Sequence, residues 1–112
     1  MTEIQAALRP LGITSSYKGY RHACYSIKLV LRERYRLEAV TKEVYMETAE
    51  HYGCDWHAVE RNIRTVVARA WMINPTLLME IAGYPMHCAP TAKEFIEIMS
   101  NYIDAKGAMD EE

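Results

Sequence analysis

Apolar residues along this chain recur every three to four positions, the spacing that gathers them on one side of a helix. The clearest case lies between Trp56 and Ile73. There Val59, Ile63, Val66, Val67 and Ala70 share one side, while His57, Glu60, Arg61, Arg64 and Ala68 fall nearly opposite. Asp55 is placed to cap this helix, and Asn74-Pro75 to break it. A preceding helix, capped by Thr41 and running through His51, turns Val44, Tyr45, Thr48 and Ala49 inward. Upstream, Ser16 caps a long helix from Tyr17 to Tyr35 with Tyr20, Cys24, Ile27, Leu31 and Tyr35 at core spacing. Thr2 and Gln5 suit a capping box for a short first helix ending near Arg9-Pro10. Downstream, a short helix from Thr76 to Ala82 stops at Gly83, and Pro85 and Pro90 mark a loop. Thr91 and Glu94 then box a last helix reaching about Ala105. No hairpin dipeptide separates alternating apolar runs. The pattern predicts an all-α fold of about six helices, with one domain over residues 1–106 and a loose acidic tail over 107–112.

Helices three and four carry a further pattern. Ala49, Gly53 and Val59 hold the spacing of a helix-turn-helix. Ala49 is small where two helices cross, Gly53 can take positive φ at the turn, and Val59 points into the core. The free face of the fourth helix is then a candidate reader of the major groove. Arginine matches guanine O6 and N7 with its fork, and a glutamate can accept from cytosine N4 or orient an arginine. Glu60, Arg61 and Arg64 are the candidate base contacts, with His57, Ala58 and Thr65 as further candidates beside them. Lys18, with Tyr20 and Arg21, at the start of the second helix is a candidate phosphate contact, a solvated helix start being the alternative, and Lys42 is another because the first helix of the motif crosses the backbone. The simpler reading of Glu60 and Arg64 is an ordinary i,i+4 pair on a solvated face.

Net charge is −2, against the habit of DNA binders, but the charges are unevenly spread. Residues 1–40 hold seven basic and three acidic groups, residues 41–72 four and five, and residues 73–112 two and seven. That predicts one basic face and an acidic C-terminal third. Cys24, Cys54 and Cys88 are odd in number and widely spaced, so reduced, buried thiols are expected rather than a disulfide framework or zinc site. No apolar run nears the roughly 20 residues that span a bilayer, and no secretory signal opens the chain, so a cytoplasmic location is expected. Four histidines form no metal motif, and neither a Gly-rich phosphate loop nor a G-x-S-x-G elbow occurs. No enzyme activity, metal or cofactor is expected. Trp71, Tyr45, Tyr84 and Phe95 are expected in the core, and His51 and His57 at the surface.

The chain resembles the C-terminal effector domains of stage-zero sporulation protein A, the response regulator of sporulation. Lys18-Gly19-Tyr20, Thr41-Lys42, Tyr45, Ala49, Val59-Glu60-Arg61, Ile63-Arg64, Ala70-Trp71, Gly83-Tyr84, Pro90-Thr91 and Glu94-Phe95-Ile96 carry the likeness, in order, from about Leu11 to Ile103. The resemblance implies a six-helix fold and sequence-specific binding of double-stranded DNA at promoter boxes with a G·C-containing core. It implies base-edge roles for Glu60, Arg61 and Arg64, a homodimer on tandem boxes that involves the last helix, and contact of the fifth-helix region with the RNA polymerase sigma subunit. Three departures stand out. Ala58, preceded by His57, replaces a usual basic residue, Ala89 replaces a common lysine, and Met72-Ile73-Asn74-Pro75 differs. The 112 residues hold no phosphoacceptor receiver domain. A free-standing chain of this kind would not be switched by aspartate phosphorylation within itself. The competing expectation is a protein-interaction module of the same fold that pairs with a full-length regulator or with polymerase.

Overall fold

Capping decides where most helices begin. In the computed structural model, which describes residues 2–110, Thr2 and Gln5 exchange the two hydrogen bonds of a capping box, Gln5 N to Thr2 Oγ1 at 3.2 Å and Thr2 N to Gln5 Oε1 at 2.9 Å. They open α1 (Glu3–Leu8), which tightens into a 3-10 turn at Arg9–Leu11. Asp55 caps α4 (Trp56–Ile73), and Asn74 caps α5 (Pro75–Ala82) by accepting from Leu77 N at 3.0 Å. Thr91 and Glu94 form the second capping box, which opens α6 (Ala92–Asp110). α6 continues past Ala105 and through Gly107 to Asp110, since Ala105, Lys106 and their successors are helix formers that carry one glycine at roughly 1 kcal/mol. Glu111 and Glu112, the end of the expected tail, lie outside the described residues.

Two further helices differ from their sequence patterns. α2 spans Tyr20–Arg32, shorter at both ends than Tyr17 to Tyr35. The Ser16 hydroxyl pairs with Thr14 at 2.9 Å instead of capping the helix, and Gly19 occupies the N-cap position. At the other end Glu33 is extended, and its carboxylate accepts from the Tyr35 hydroxyl and the Arg36 guanidinium. The buried stripe of α2 is Ala23, Ser26, Ile27, Leu29 and Val30. Tyr20, Cys24 and Leu31 pack only at its margin, and Tyr35 is exposed. The third helix is also divided. A 3-10 segment (Arg34–Ala39) and a π-type turn (Thr41–Tyr45) lead into α3 (Met46–Tyr52), so Thr41 lies within the turn and does not cap it. Arg36 ties the two irregular segments, donating to the Glu43 carbonyl at 2.6 Å and to Glu33 Oε1 at 2.8 Å.

The six α-helices among the described residues enclose one core. α2 lies against α6, and α4 packs on α2, α3, α5 and α6. Val59, Ile63, Val66, Val67 and Ala70 of α4 are buried with Ile27, Val30, Phe95, Ile96 and Met99. A buried hydrogen bond between Ser26 and Thr48 hydroxyls, 3.1 Å apart, pins α3 to α2. Tyr45 and Phe95 are in the core as expected, and Trp71 is at its edge. Tyr84 is exposed, because its loop after Gly83 leaves the bundle. All three thiols are free, but Cys54 and Cys88 are exposed and Cys24 half-buried, since the turns that carry the first two run over the surface. No described helix is long and apolar enough to cross a membrane.

Candidate nucleic-acid interface

The turn between α3 and α4 sets the interface. Gly53 adopts φ 67°, a left-handed conformation that glycine takes at little cost. Gly53 N then donates to the Glu50 carbonyl at 3.4 Å and Cys54 N to the Ala49 carbonyl at 2.9 Å, a Schellman pair that ends α3. Asp55 restarts the chain. Its Oδ1 accepts from His57 N at 2.7 Å and stands 2.7 Å from His57 Nδ1. These two bonds to His57 hold the Asp55 carboxyl below its ordinary range. The His57 ring stacks on Trp56 with centroids 3.7 Å apart. Ala49 and Val59 are buried where α3 and α4 meet, as their spacing requires.

With one side of α4 buried, the other is presented to solvent. His57, Arg61, Arg64 and Thr65 are exposed, while Glu60 and Ala58 are partly covered. Glu60 Oε1 and Arg64 Nη2 are 3.2 Å apart, so the i,i+4 pair forms. Arg61 has no ion-pair partner among the described residues, and its whole guanidinium fork is free. The Thr65 hydroxyl donates back to the Arg61 carbonyl at 3.1 Å, so that donor is turned onto its own helix.

Both flanks of α4 are held. On one, Tyr45 lies buried beside Glu60, and burial with the neighbouring carboxylate pushes its phenol up to about 12, so it stays protonated. Lys42 is exposed in the same turn as Tyr45. On the other flank Gly19 meets Asn62 so closely that a Cβ at Gly19 would stand 2.2 Å from the Asn62 carbonyl oxygen. Lys18, exposed, precedes it. Glu60 and Asn62 differ by about 200° around the helix, with Arg61 between them. Lys42 and Lys18, the expected phosphate contacts, thus belong to the two segments that flank α4.

Sequence reading missed Gly19, Asn62 and His22 as parts of this interface. The Asn62 amide donates to His22 Nδ1 at 3.3 Å, joining α4 to α2. Helical period marks Asn62 only as lateral, and nothing in the pattern pairs it with α2. Desolvation first, then the Arg21 charge, push the His22 imidazole below its ordinary value. Protonation therefore favours the unfolded chain: this contribution is complete above the unfolded value of about 6.5 and is lost as pH falls through the folded one. The expected result is a urea midpoint that drops between pH 7 and 5, with a shallower drop in His22→Gln. Equal slopes in the two proteins would remove His22 from this role.

A model of the family described as "Sporulation initiation factor Spo0A C terminal" matches residues 4–103. The chain belongs to that family, whose domains are DNA-binding effectors of sporulation transcription regulators.

Proposed function

We infer that this member of the family reads promoter boxes through the free face of α4. The observation that carries the reading is the disposition of three side chains. Arg61 offers an unpaired fork, Glu60 holds Arg64, and all three stand on a helix immobilised by its buried stripe. A helix so fixed can present the same donors to every duplex it meets, which direct readout requires. In this reading Arg61 and Arg64 donate to guanine edges, and Glu60 orients Arg64 or accepts from cytosine. His57 supplies a contact in place of the basic residue that Ala58 lacks, and the Ala58 and Thr65 methyl groups suit a thymine methyl. Lys18 and Lys42 hold phosphates on either side. Binding places the protein with its DNA, in the cytoplasm, and tandem boxes would seat two copies.

Exposed apolar residues favour a second contact, with protein. Met72 (74% exposed) and Ile73 stand before α5, and Tyr84 (47% exposed) stands after it. Such a surface suits a protein partner; Met72 and Ile73 lie in the segment that departs from the family, which counts against the RNA polymerase sigma subunit, and without DNA reading the surface would be that of a pairing module.

The test is fluorescence anisotropy with a duplex carrying tandem boxes against a scrambled duplex, at two salt concentrations. Selective binding supports the reading; equal, weak binding to both duplexes overturns it in favour of the protein contact. Lys42→Ala is expected to weaken both duplexes alike, because a phosphate contact carries no sequence information. A loss confined to the box would contradict that role.

A further inference from the structure

The outer face of α2 carries Arg21, Lys28 and Arg32, at i, i+7 and i+11 along one side of the helix. All three are exposed, and none has an ion-pair partner among the described residues. No acidic residue occurs between Tyr20 and Arg32. The α3 side chains seen beside this face are aromatic, while the two α3 carboxylates, Glu47 and Glu50, are exposed and pair with none of the three cations. The Tyr25 ring stacks on His51 with centroids 4.2 Å apart, and the Arg21 guanidinium lies 5.5 Å above the Tyr52 ring. Cations are thus concentrated on one helix of a chain that is net acidic, and among the described residues no carboxylate is paired with them.

We propose that this face of α2 is a second DNA-backbone surface, which holds phosphates flanking the recognised box on the same duplex. The inference rests on the reading of α4 as the DNA-facing helix. It goes further by extending the footprint over a helix outside the helix-turn-helix. Continuity favours DNA as the occupant. The start of α2 abuts α4, where Gly19 packs on Asn62 and His22 bonds to it, and the adjoining Arg21 reaches over Tyr52 of α3, the first helix of the helix-turn-helix. From Arg21 to Arg32 the helix rises about 16 Å, the length of roughly five base steps at 3.4 Å each. Lysine and arginine spaced along a helix, with aromatic groups at one edge, suit a repeating anion and contribute without regard to sequence. An acidic protein segment is the rival occupant, and it has no such continuity with α4.

The experiment measures affinity against salt for the full chain and for a Lys28→Gln/Arg32→Gln variant. Arg21 is left intact because it also covers Tyr52. Two duplexes are compared: one limited to the boxes, and one extended by about ten base pairs on each side. On the long duplex the slope of log K against log salt is expected to be shallower by about 2 in the variant, at close to 0.9 per phosphate contact. At low salt its affinity should fall about tenfold or more. On the short duplex the two proteins should match. Unchanged slopes on the long duplex would overturn the proposal, as would equal losses on both lengths, and binding of an acidic peptide lost in the variant while both slopes stay unchanged would reassign the face to a protein. A long scrambled duplex separates the two inferences. If the protein shows no preference for boxes, the α4 reading fails, yet the slope difference on the scrambled duplex still reports the α2 contacts.

Discussion

Gly19→Ala is expected to lower the unfolding free energy by about 1–3 kcal/mol, within the range for overfilling a packed site. The expected thermal shift is downward by roughly 4–12 °C for a domain of this size. The backbone conformation is not the reason, since φ at Gly19 is −79°, open to any residue. The reason is the neighbour. An added Cβ would stand 2.2 Å from the Asn62 carbonyl oxygen and 2.7 Å from Val66 Cγ2. Val66 can rotate, but the carbonyl belongs to the hydrogen-bond ladder of α4 and cannot. Relief requires the start of α2 to lift away from α4, which also strains the bond from Asn62 to His22. Gly107→Ala supplies the control. Gly107 lies within α6 with nothing within 4 Å of an added Cβ, so the same change there is expected to stabilise by about 0.5–1 kcal/mol. Paired denaturation curves decide the point. A Gly19→Ala protein as stable as its parent would mean that α2 does not sit on α4 at this distance.

The contrast between α4 and α2 shows which parts of the fold were open to sequence reading. For α4, local signals agree. Asp55 caps it, Asn74-Pro75 stops it, and only one apolar stripe exists, so bounds and buried side both emerged as expected. α2 carries two overlapping candidate stripes that share Ile27. One is made of Tyr20, Cys24, Leu31 and Tyr35, and the other includes Ala23 and Val30. Period alone ranks neither. The choice falls to partners distant in sequence, above all α6 and α4, which bury Ala23 and Val30 and leave Tyr35 outside. The segment from Glu33 to Tyr45 was least legible. Its turns depend on Arg36 reaching both Glu33 and the Glu43 carbonyl, a link that no periodic pattern encodes.

The candidate interface divides along the same line. That Glu60, Arg61 and Arg64 share an outward face follows from spacing on one helix. That α4 is braced by Gly19, His22 and Asn62 depends on the crossing of two helices and became visible only in the structure. On the proposed reading the bracing bears on function: a base-reading arginine discriminates only if its helix returns to the same position on each encounter, so the α2–α4 contact would act on specificity through rigidity.

Arg61→Ala and Arg64→Ala should then differ in kind. Arg61 has no ion-pair partner among the described residues, so its removal breaks no salt bridge. The expected result is a loss of about 1–3 kcal/mol of discrimination between a box and its single-base variants, with binding to scrambled DNA reduced only by one lost positive charge. Arg64 is the partner of Glu60 at 3.2 Å. Its removal leaves the Glu60 carboxylate facing the phosphates alone, so Arg64→Ala should weaken every duplex as well as lower discrimination. Glu60→Gln added to Arg64→Ala should recover the general loss, because it deletes the stranded charge, and should leave the discrimination defect in place. A double-mutant cycle over Glu60 and Arg64, measured on box and scrambled duplexes at one fixed salt concentration, isolates the coupling. If the coupling energy is the same on both duplexes, Glu60 acts only on Arg64 and on general repulsion. If it is larger on the box, the Glu60–Arg64 pair reads bases as a unit. Full discrimination retained by Arg61→Ala would take the base-reading role away from Arg61.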